Sequence, residues 1–338
     1  PGVGKGAPLR VVDPACGSGS FLLGAYQYLL DWYRDGYLAA DPQKWARGAN
    51  PRLAQTPSPS GDLPLGEGRG GGWRLTTAER KRILLDHIYG VDIDPQAVEV
   101  TKLSLLLKVL EGENEATIGK QLALFQERAL PDLGRNIQCG NSLIGPDFYH
   151  AQQASFLDLE EQYRINAFDW AQAFPQVFAA GGFDAVIGNP PWISLTGKFK
   201  AEIFSRREID YLLRTYKGNS YMPNIYEYFI TKGMRLTRND GFFSFIIPDR
   251  LGFNRQFIEL RKRILIETRI ISLLYKLPFP GIIADTLVFI LQKGMAARNH
   301  VISISEYVKP TIMRHQEELI THPTHAFEYY DDPEVMNI

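Results

Sequence analysis

Short apolar and β-branched runs, each followed by a longer stretch of helical periodicity, recur along this chain. That alternation restricts it to a mainly parallel sheet covered by helices. Strands are expected at residues 9–13, 87–91, 136–139, 184–188, 242–247, 270–275 and 286–291. Residues 20–34 and 95–110 carry apolar side chains at helical spacing, and Pro95 suits a first helical turn. Residues 224–237 and 254–267 repeat the pattern. The connection at residues 278–285 is too short for a parallel crossover, so the last two strands are expected to pair antiparallel. Periodicity alone thus gives an α/β sheet ending in a hairpin. A length of 338 residues, 45% hydrophobic and 22% charged, suits one large domain, or one domain plus the start of another.

Two segments break the rhythm. Residues 41–72 are rich in Pro, Gly and Ser and are expected to be a flexible insertion, while residues 152–180 read as loop with partial helix. Beyond His300 the pattern weakens, and residues 301–307 are a candidate strand leading elsewhere. The expected division is therefore one domain over residues 1–298, with residues 299–338 a linker or the start of another. The chain opens on Pro1 rather than methionine, so a piece of a longer protein is expected.

The net charge of -1 announces no polyanion-binding surface, yet a local basic patch would suffice for phosphate contacts. Two cysteines, Cys16 and Cys139, build no disulfide framework and suit reduced thiols in the cytosol. No apolar run approaches membrane-spanning length. The six histidines have no ligand spacing, so no metal is expected.

Four strings carry chemistry. Asp13-Pro14-Ala15-Cys16-Gly17-Ser18-Gly19-Ser20-Phe21 follows the first strand and opens a helix. Strand, glycine turn and helix is how such folds bring backbone close to a nucleotide-like ligand. The second strand ends Tyr89-Gly90-Val91-Asp92-Ile93-Asp94-Pro95. A carboxylate there can bond both hydroxyls of a ribose, whereas Asp94 suits a helix cap. The third strand runs into Cys139-Gly140-Asn141-Ser142-Leu143, and the fourth into Asn189-Pro190-Pro191-Trp192. Glycine turns join strands to helices in many folds, and Asn-Pro-Pro-Trp suits a plain strand-ending turn. The four strings in this order are what favour a ligand site.

Asn189 and Pro190 can each offer a carbonyl oxygen to a planar amino group. Two fixed acceptors would localise a lone pair otherwise delocalised into a ring, and the two prolines fix their geometry in advance. Trp192 offers an aromatic face to an unstacked base.

With these motifs the chain resembles the S-adenosylmethionine-dependent N6-adenine DNA methyltransferases, above all the methylase part of type IIG and related restriction–modification proteins. The resemblance covers most of residues 9–293. It implies a Rossmann-like methyltransferase fold whose seven-stranded, mostly parallel sheet has one antiparallel strand. It implies residues 1–298 as the catalytic domain and residues 299–338 as a linker or the start of a target-recognition domain. S-adenosylmethionine would be held by Asp13, Ala15, Cys16, Gly17, Gly19, Asp92, Ile93, Asn141 and Ser142, with asparagine at 141 where the family commonly has aspartate. Asn189, Pro190, Pro191 and Trp192 would be catalytic, with Trp192 and Phe279 stacking on a flipped base. Double-stranded DNA is the implied partner, alongside a recognition domain elsewhere in the protein, where any nuclease would also lie, in the cytoplasm of a bacterium or archaeon. No membrane contact is implied. The same turn serves other planar nitrogens (cytosine N4, an RNA guanine amino group, a protein glutamine amide). A non-catalytic DNA-binding subunit on this fold is the remaining alternative.

Basic residues gather in two places, Lys198, Lys200, Arg206 and Arg207 after the Asn-Pro-Pro-Trp turn, and Arg250, Arg255, Arg261, Lys262 and Arg263 after the fifth strand. They suit phosphate contacts or solvated helix faces equally.

Overall fold

Val11 and Val12, neighbours on the first strand, belong to two different apolar clusters, because successive strand side chains face opposite sides of a sheet. The computed structural model describes residues 7–55, 72–112, 131–149, 159–195, 204–219, 222–278 and 284–327. The main sheet contains β1 (Val11–Asp13), β4 (Ile88–Asp92), β5 (Ile137–Cys139), β6 (Phe183–Gly188) and β7 (Thr237–Pro248). It continues through β8 (Thr268–Tyr275), β9 (Thr286–Lys293), β10 (Val301–Glu306) and β11 (Ile312–His315). A separate pair, β2 (Leu53–Gln55) and β3 (Trp73–Leu75), runs antiparallel.

Helices cover both faces. On one side Val11, Ile88 and Ile137 pack with α1 (Ser20–Ala40), α2 (Thr77–His87) and α3 (Pro95–Leu110) through Leu22, Tyr26, Leu84 and Leu105. On the other, Val12, Val91 and Val186 pack with α4 (Arg206–Tyr216), α5 (Ile225–Leu236) and α6 (Ile258–Glu267) through Leu212, Ile230 and Ile264. Burial on both faces is why these strands read as near-continuous apolar runs rather than alternating ones.

Strand order is β11-β10-β8-β9-β7-β6-β1-β4-β5. Strands β5, β4, β1, β6 and β7 are parallel neighbours, and β9 lies antiparallel between β7 and β8. All seven expected strands are present, with the expected terminal hairpin. The expected count of seven, with one antiparallel strand, needs correction: the sheet has nine strands. β10 pairs parallel with β8, and β11 antiparallel with β10, a second reversed strand. Residues 301–306 therefore do not lead away from the sheet. Ile302 and Ile304 alternate with polar residues and are fully buried, so the strand gains by completing the edge beside β8. Strands of one sheet thus lie on both sides of residue 298.

The stretch expected as a loose insertion is packed at its described ends. Residues Pro42–Trp45 form a helix capped by Asp41, and Leu53 and Leu75 are buried in the α1 cluster. Residues 56–71 lie outside the described ones. Short helices at Leu159–Ile165, Trp170–Ala173 and Pro175–Ala179 match the expected partial helix. No helix among the described residues is long and apolar enough to cross a membrane.

Candidate active site

Because β5, β4, β1 and β6 are parallel and adjacent, the four chemistry-bearing strings leave the sheet at one edge. The edge includes the place where chain order reverses, between β1 and its neighbours β6 and β4, where open α/β sheets leave a crevice.

The first string forms a turn held from three sides. Cys16 donates its N–H to the Val91 carbonyl at 3.1 Å, and Gly17 donates to Asp92 Oδ2 at 2.8 Å. Thr101, on α3, donates its hydroxyl to the Gly17 carbonyl at 2.7 Å. Gly17 has φ +51°, and a Cβ there would meet nothing within 4 Å, so glycine is needed for the torsion and leaves open space beside the turn. Gly19 differs. Its Cβ would lie 2.9 Å from the Thr101 side chain, so that glycine lets α1 begin against α3.

Asp92 also accepts the Asp94 N–H through Oδ1 at 3.0 Å. Each carboxylate oxygen accepts one bond and retains a second lone pair for a hydroxyl. Ile93 is exposed beside it, and Asp94 caps α3 by accepting the Gln96 N–H at 2.8 Å, as the sequence suggested. Asp13 is 1% exposed and accepts the Ala15 N–H at 2.9 Å. Burial raises its carboxyl to about 7, and nearby Asp92 adds to the rise. Burial also pushes the Cys16 thiol far up, so it stays protonated at neutral pH and is no nucleophile.

The third string turns on itself. Asn141 Oδ1 accepts the N–H groups of Leu143 and Ile144 at 3.1 and 3.2 Å, so its carbonyl oxygen serves its own loop rather than standing clear for a ligand. Ser142 donates its hydroxyl to the Pro14 carbonyl, tying this loop to the first.

The Asn-Pro-Pro-Trp turn abuts the first string. A Cβ on Gly188 would lie 2.5 Å from Asp13 Oδ1, so glycine at that position lets the carboxyl pass beside the strand end that carries Asn189. Pro190 is buried, and Asn189, Pro191 and Trp192 are half-buried. Beyond the turn the backbone pairs with the approach to α5. Leu195 donates to the Pro223 carbonyl and Ile225 to the Ile193 carbonyl, both at 2.9 Å, with Ser194 bridging Asn224. Among the described residues Asn189 Oδ1 and Trp192 Nε1 are buried without a hydrogen-bond partner, as are Trp45 Nε1 and the Tyr228 hydroxyl elsewhere. The first two share one turn, where an incoming polar group would satisfy them.

The expected residues from β1, β4, β5 and β6 thus converge. Phe279 lies outside the described residues. Sequence reasoning missed Thr101, whereas Glu227 lies in the Asn224-Ile225-Tyr226-Glu227 string, which resembles a family element shaping the pocket floor. Thr101 shows no signal beyond its place on an amphipathic helix. The string is a capping box, in which Glu227 accepts the Asn224 N–H at 2.9 Å.

Glu227 is 3% exposed, and burial lifts its carboxyl to about 7. A folded-state value above the ordinary 4.5 favours the folded protein most below pH 4.5, and that advantage is lost as pH rises through 7. Glu227→Gln keeps an acceptor for Asn224 but cannot ionise. Relative to wild type it should gain up to roughly 3 kcal/mol between pH 5 and pH 8. Urea unfolding at the two pH values checks this; a wild-type-to-variant difference that ignores pH would assign Glu227 no titration in this range.

Residues 86–276, more than half of the chain, match the family model described as Eco57I restriction-modification methylase. The chain belongs to that family. Similar to this Eco57I-type methylase is RM.Eco57I of Escherichia coli, a type II restriction enzyme and methyltransferase. It is 29% identical over 241 residues, or 71% of this chain and 20% of the relative. The adenine-specific methyltransferase PglX of Streptomyces coelicolor is 26% identical over 199 residues, or 56% of this chain and 13% of its own. The Eco57I-type chain therefore spans a fifth or less of either relative's length. Among solved structures, the type IIL restriction-modification enzyme MmeI in complex with DNA gives a TM-score of 0.53. It does so at 14% identity, over 91% of this chain and 34% of that one, a likeness of fold.

Proposed function

We propose that this chain is the methyl-transferring domain of a restriction–modification or phage-defence protein, acting on adenine N6 of DNA with the base flipped out of the duplex. The observation that carries the reading is the buried, unpartnered Asn189 Oδ1, set at the end of β6 against the glycine turn after β1. Membership of the Eco57I family supports methyl transfer to DNA. The name of PglX, an adenine-specific relative, favours adenine.

S-adenosylmethionine fits the first two turns. The open space at Gly17, the spare lone pairs of Asp92 and the exposed Ile93 suit a backbone-hugging turn, a ribose diol and an adenine face. The group would supply an activated methyl on a sulfonium. The chain's own residues prepare the acceptor. Asn189 Oδ1 and the Pro190 carbonyl accept the two amino hydrogens, holding the nitrogen's lone pair out of the ring, while Trp192 supports the base face. Phe279 is assigned the other face. Duplex DNA is the partner, a recognition domain and any nuclease belong to other parts of the protein, and the cytoplasm of a bacterium or archaeon is the place of action.

The test uses the full-length protein with tritiated S-adenosylmethionine and unmethylated plasmid DNA, followed by mass spectrometry of released nucleosides. N6-methyldeoxyadenosine is expected. N4-methyldeoxycytidine would move the target to cytosine, and label found only in RNA or glutamine peptides would remove DNA from the reading.

A further inference from the structure

The five basic residues after β7 form one run in sequence but serve different ends in space. Arg261 is fully buried. Its guanidinium donates to the carbonyls of Leu251, Asn254, Thr324 and His325 at 2.9, 2.8, 2.7 and 3.0 Å. Arg263 donates to the Thr231 hydroxyl between α6 and α5. Lys262 lines a separate cavity of about 660 Å³ together with Glu227, Glu259 and Arg263. These three are therefore no phosphate contacts at the site. In the other basic group, Arg207 stacks at 4.5 Å on Phe148 and pairs with Glu161, while Lys198 and Lys200 lie outside the described residues.

Arg206, Arg250 and Arg255 remain, and of these Arg250 and Arg255 share the loop after β7. Both are exposed, and among the described residues neither guanidinium has a hydrogen-bond or ion-pair partner. Between them in sequence Phe253 is 41% exposed, a large apolar side chain reaching solvent. The backbone below is fixed: Leu251 and Gly252 are buried, and Arg261 holds the carbonyls on either side of Phe253.

The loop also sits beside the amino-group turn. β6 and β7 are parallel, with Gly188 opposite Phe245, so β7 ends three residues further along the same edge, where residues 249–255 begin. Phe257, just beyond, packs its ring 5.8 Å from that of Tyr226, two residues after the Asn224 that bridges Ser194. Burial lifts the Asp249 carboxyl above its usual range, with Asp285 adding to the rise and Arg250 and Lys276 opposing it, and among the described residues neither acid forms an ion pair with Arg250 or Arg255.

We propose that Arg250, Phe253 and Arg255 form a DNA-contact patch, in which the two guanidiniums bind phosphodiesters flanking the target nucleotide and the Phe253 ring stacks on an unpaired or unstacked base beside it. An exposed aromatic on a fixed backbone, flanked in sequence by two arginines, has the chemistry of a stacking platform on a phosphate track. This rests on DNA being the substrate, as argued above.

The experiment uses the full-length protein and a short fluorescent duplex of arbitrary sequence, with binding measured across salt concentrations. Loss of two phosphate contacts in the R250Q/R255Q double variant should flatten the log–log salt slope by about 2 and weaken binding roughly tenfold near 0.1 M salt. Phe253→Ala should raise KM for plasmid DNA about tenfold with S-adenosylmethionine affinity unchanged, and Phe253→Trp should restore it. An unchanged slope in a double variant that still binds cofactor overturns the patch. A slope that falls as expected, in a wild-type protein that methylates no DNA, keeps the patch and removes the methyl-transfer reading instead.

Discussion

Asn189→Ala is expected to lower methyl transfer by about 10²–10³-fold or more while leaving S-adenosylmethionine affinity within a few-fold of wild type. The proposed cofactor turns follow β1, β4 and β5, and among the described residues no hydrogen bond of Asn189 ties it to them. Its carboxamide oxygen instead stands buried and unpaired at the end of β6. An unsatisfied buried acceptor costs about 1–3 kcal/mol, which the folded protein bears whether or not substrate is bound. Removing it should therefore leave thermal stability unchanged or slightly higher, the pattern of a group kept for function rather than folding. Radiolabel transfer, calorimetric cofactor titration and a melting curve on the same preparation read the three quantities. Loss of cofactor affinity and melting temperature together would make Asn189 a structural residue and leave the amino-group pocket without its first acceptor.

Most of the frame was legible because it rests on local patterns. The seven expected strands lie where apolar runs predicted them, and Pro95–Leu110 has the bounds its proline and spacing implied. The convergence of the four strings was legible too, since turns after adjacent parallel strands must share an edge. What escaped depends on contacts between distant residues. β10 shows its two-residue alternation in sequence, but its partner β8 lies some thirty residues upstream, in register Ser303 to Ser272. The segment after it is anchored by single polar side chains, which leave no apolar period to read. Gln316, 1% exposed, donates to the carbonyls of Leu265 and Thr268 and accepts the Ile270 N–H. Within the site, the resemblance assigned Gly19 and Asn141 to cofactor binding without saying which contacts the fold itself would make with them. The structure gives Gly19 a helix-packing reason and turns the Asn141 carbonyl oxygen inward. The basic run after β7 looked uniform in sequence because charge says nothing about which guanidinium a fold has buried.

Arg261 is where that difference should be largest in measured stability. Its guanidinium collects carbonyls from residues 251–254 and 324–325, and the same two segments are joined by Phe327 N–H to the Gly252 carbonyl at 2.8 Å and by Tyr275 hydroxyl to the Phe327 carbonyl. Arg261→Met fills much of the volume but removes a buried donor from four carbonyls, of which that of Asn254 keeps the Phe257 N–H. Breaking a buried charged network of this kind costs about 3–5 kcal/mol, which for a chain of this size lowers the melting temperature by roughly 4–7 °C. Arg261→Lys should fall between, since one ammonium cannot reach every carbonyl the planar fork reaches. Arg255→Gln, six residues away and exposed, should move stability by no more than about 0.5 kcal/mol. The contrast has a functional arm. The carbonyls that Arg261 holds fix the loop bearing Phe253, so residual folded Arg261→Met should bind DNA more weakly while its cofactor turns, supported by α1 and α3 on the opposite face, keep their affinity. Equal melting temperatures for Arg261→Met and Arg255→Gln would mean the carbonyls find other donors, and that the loop is held by Leu251 and Phe257 packing alone.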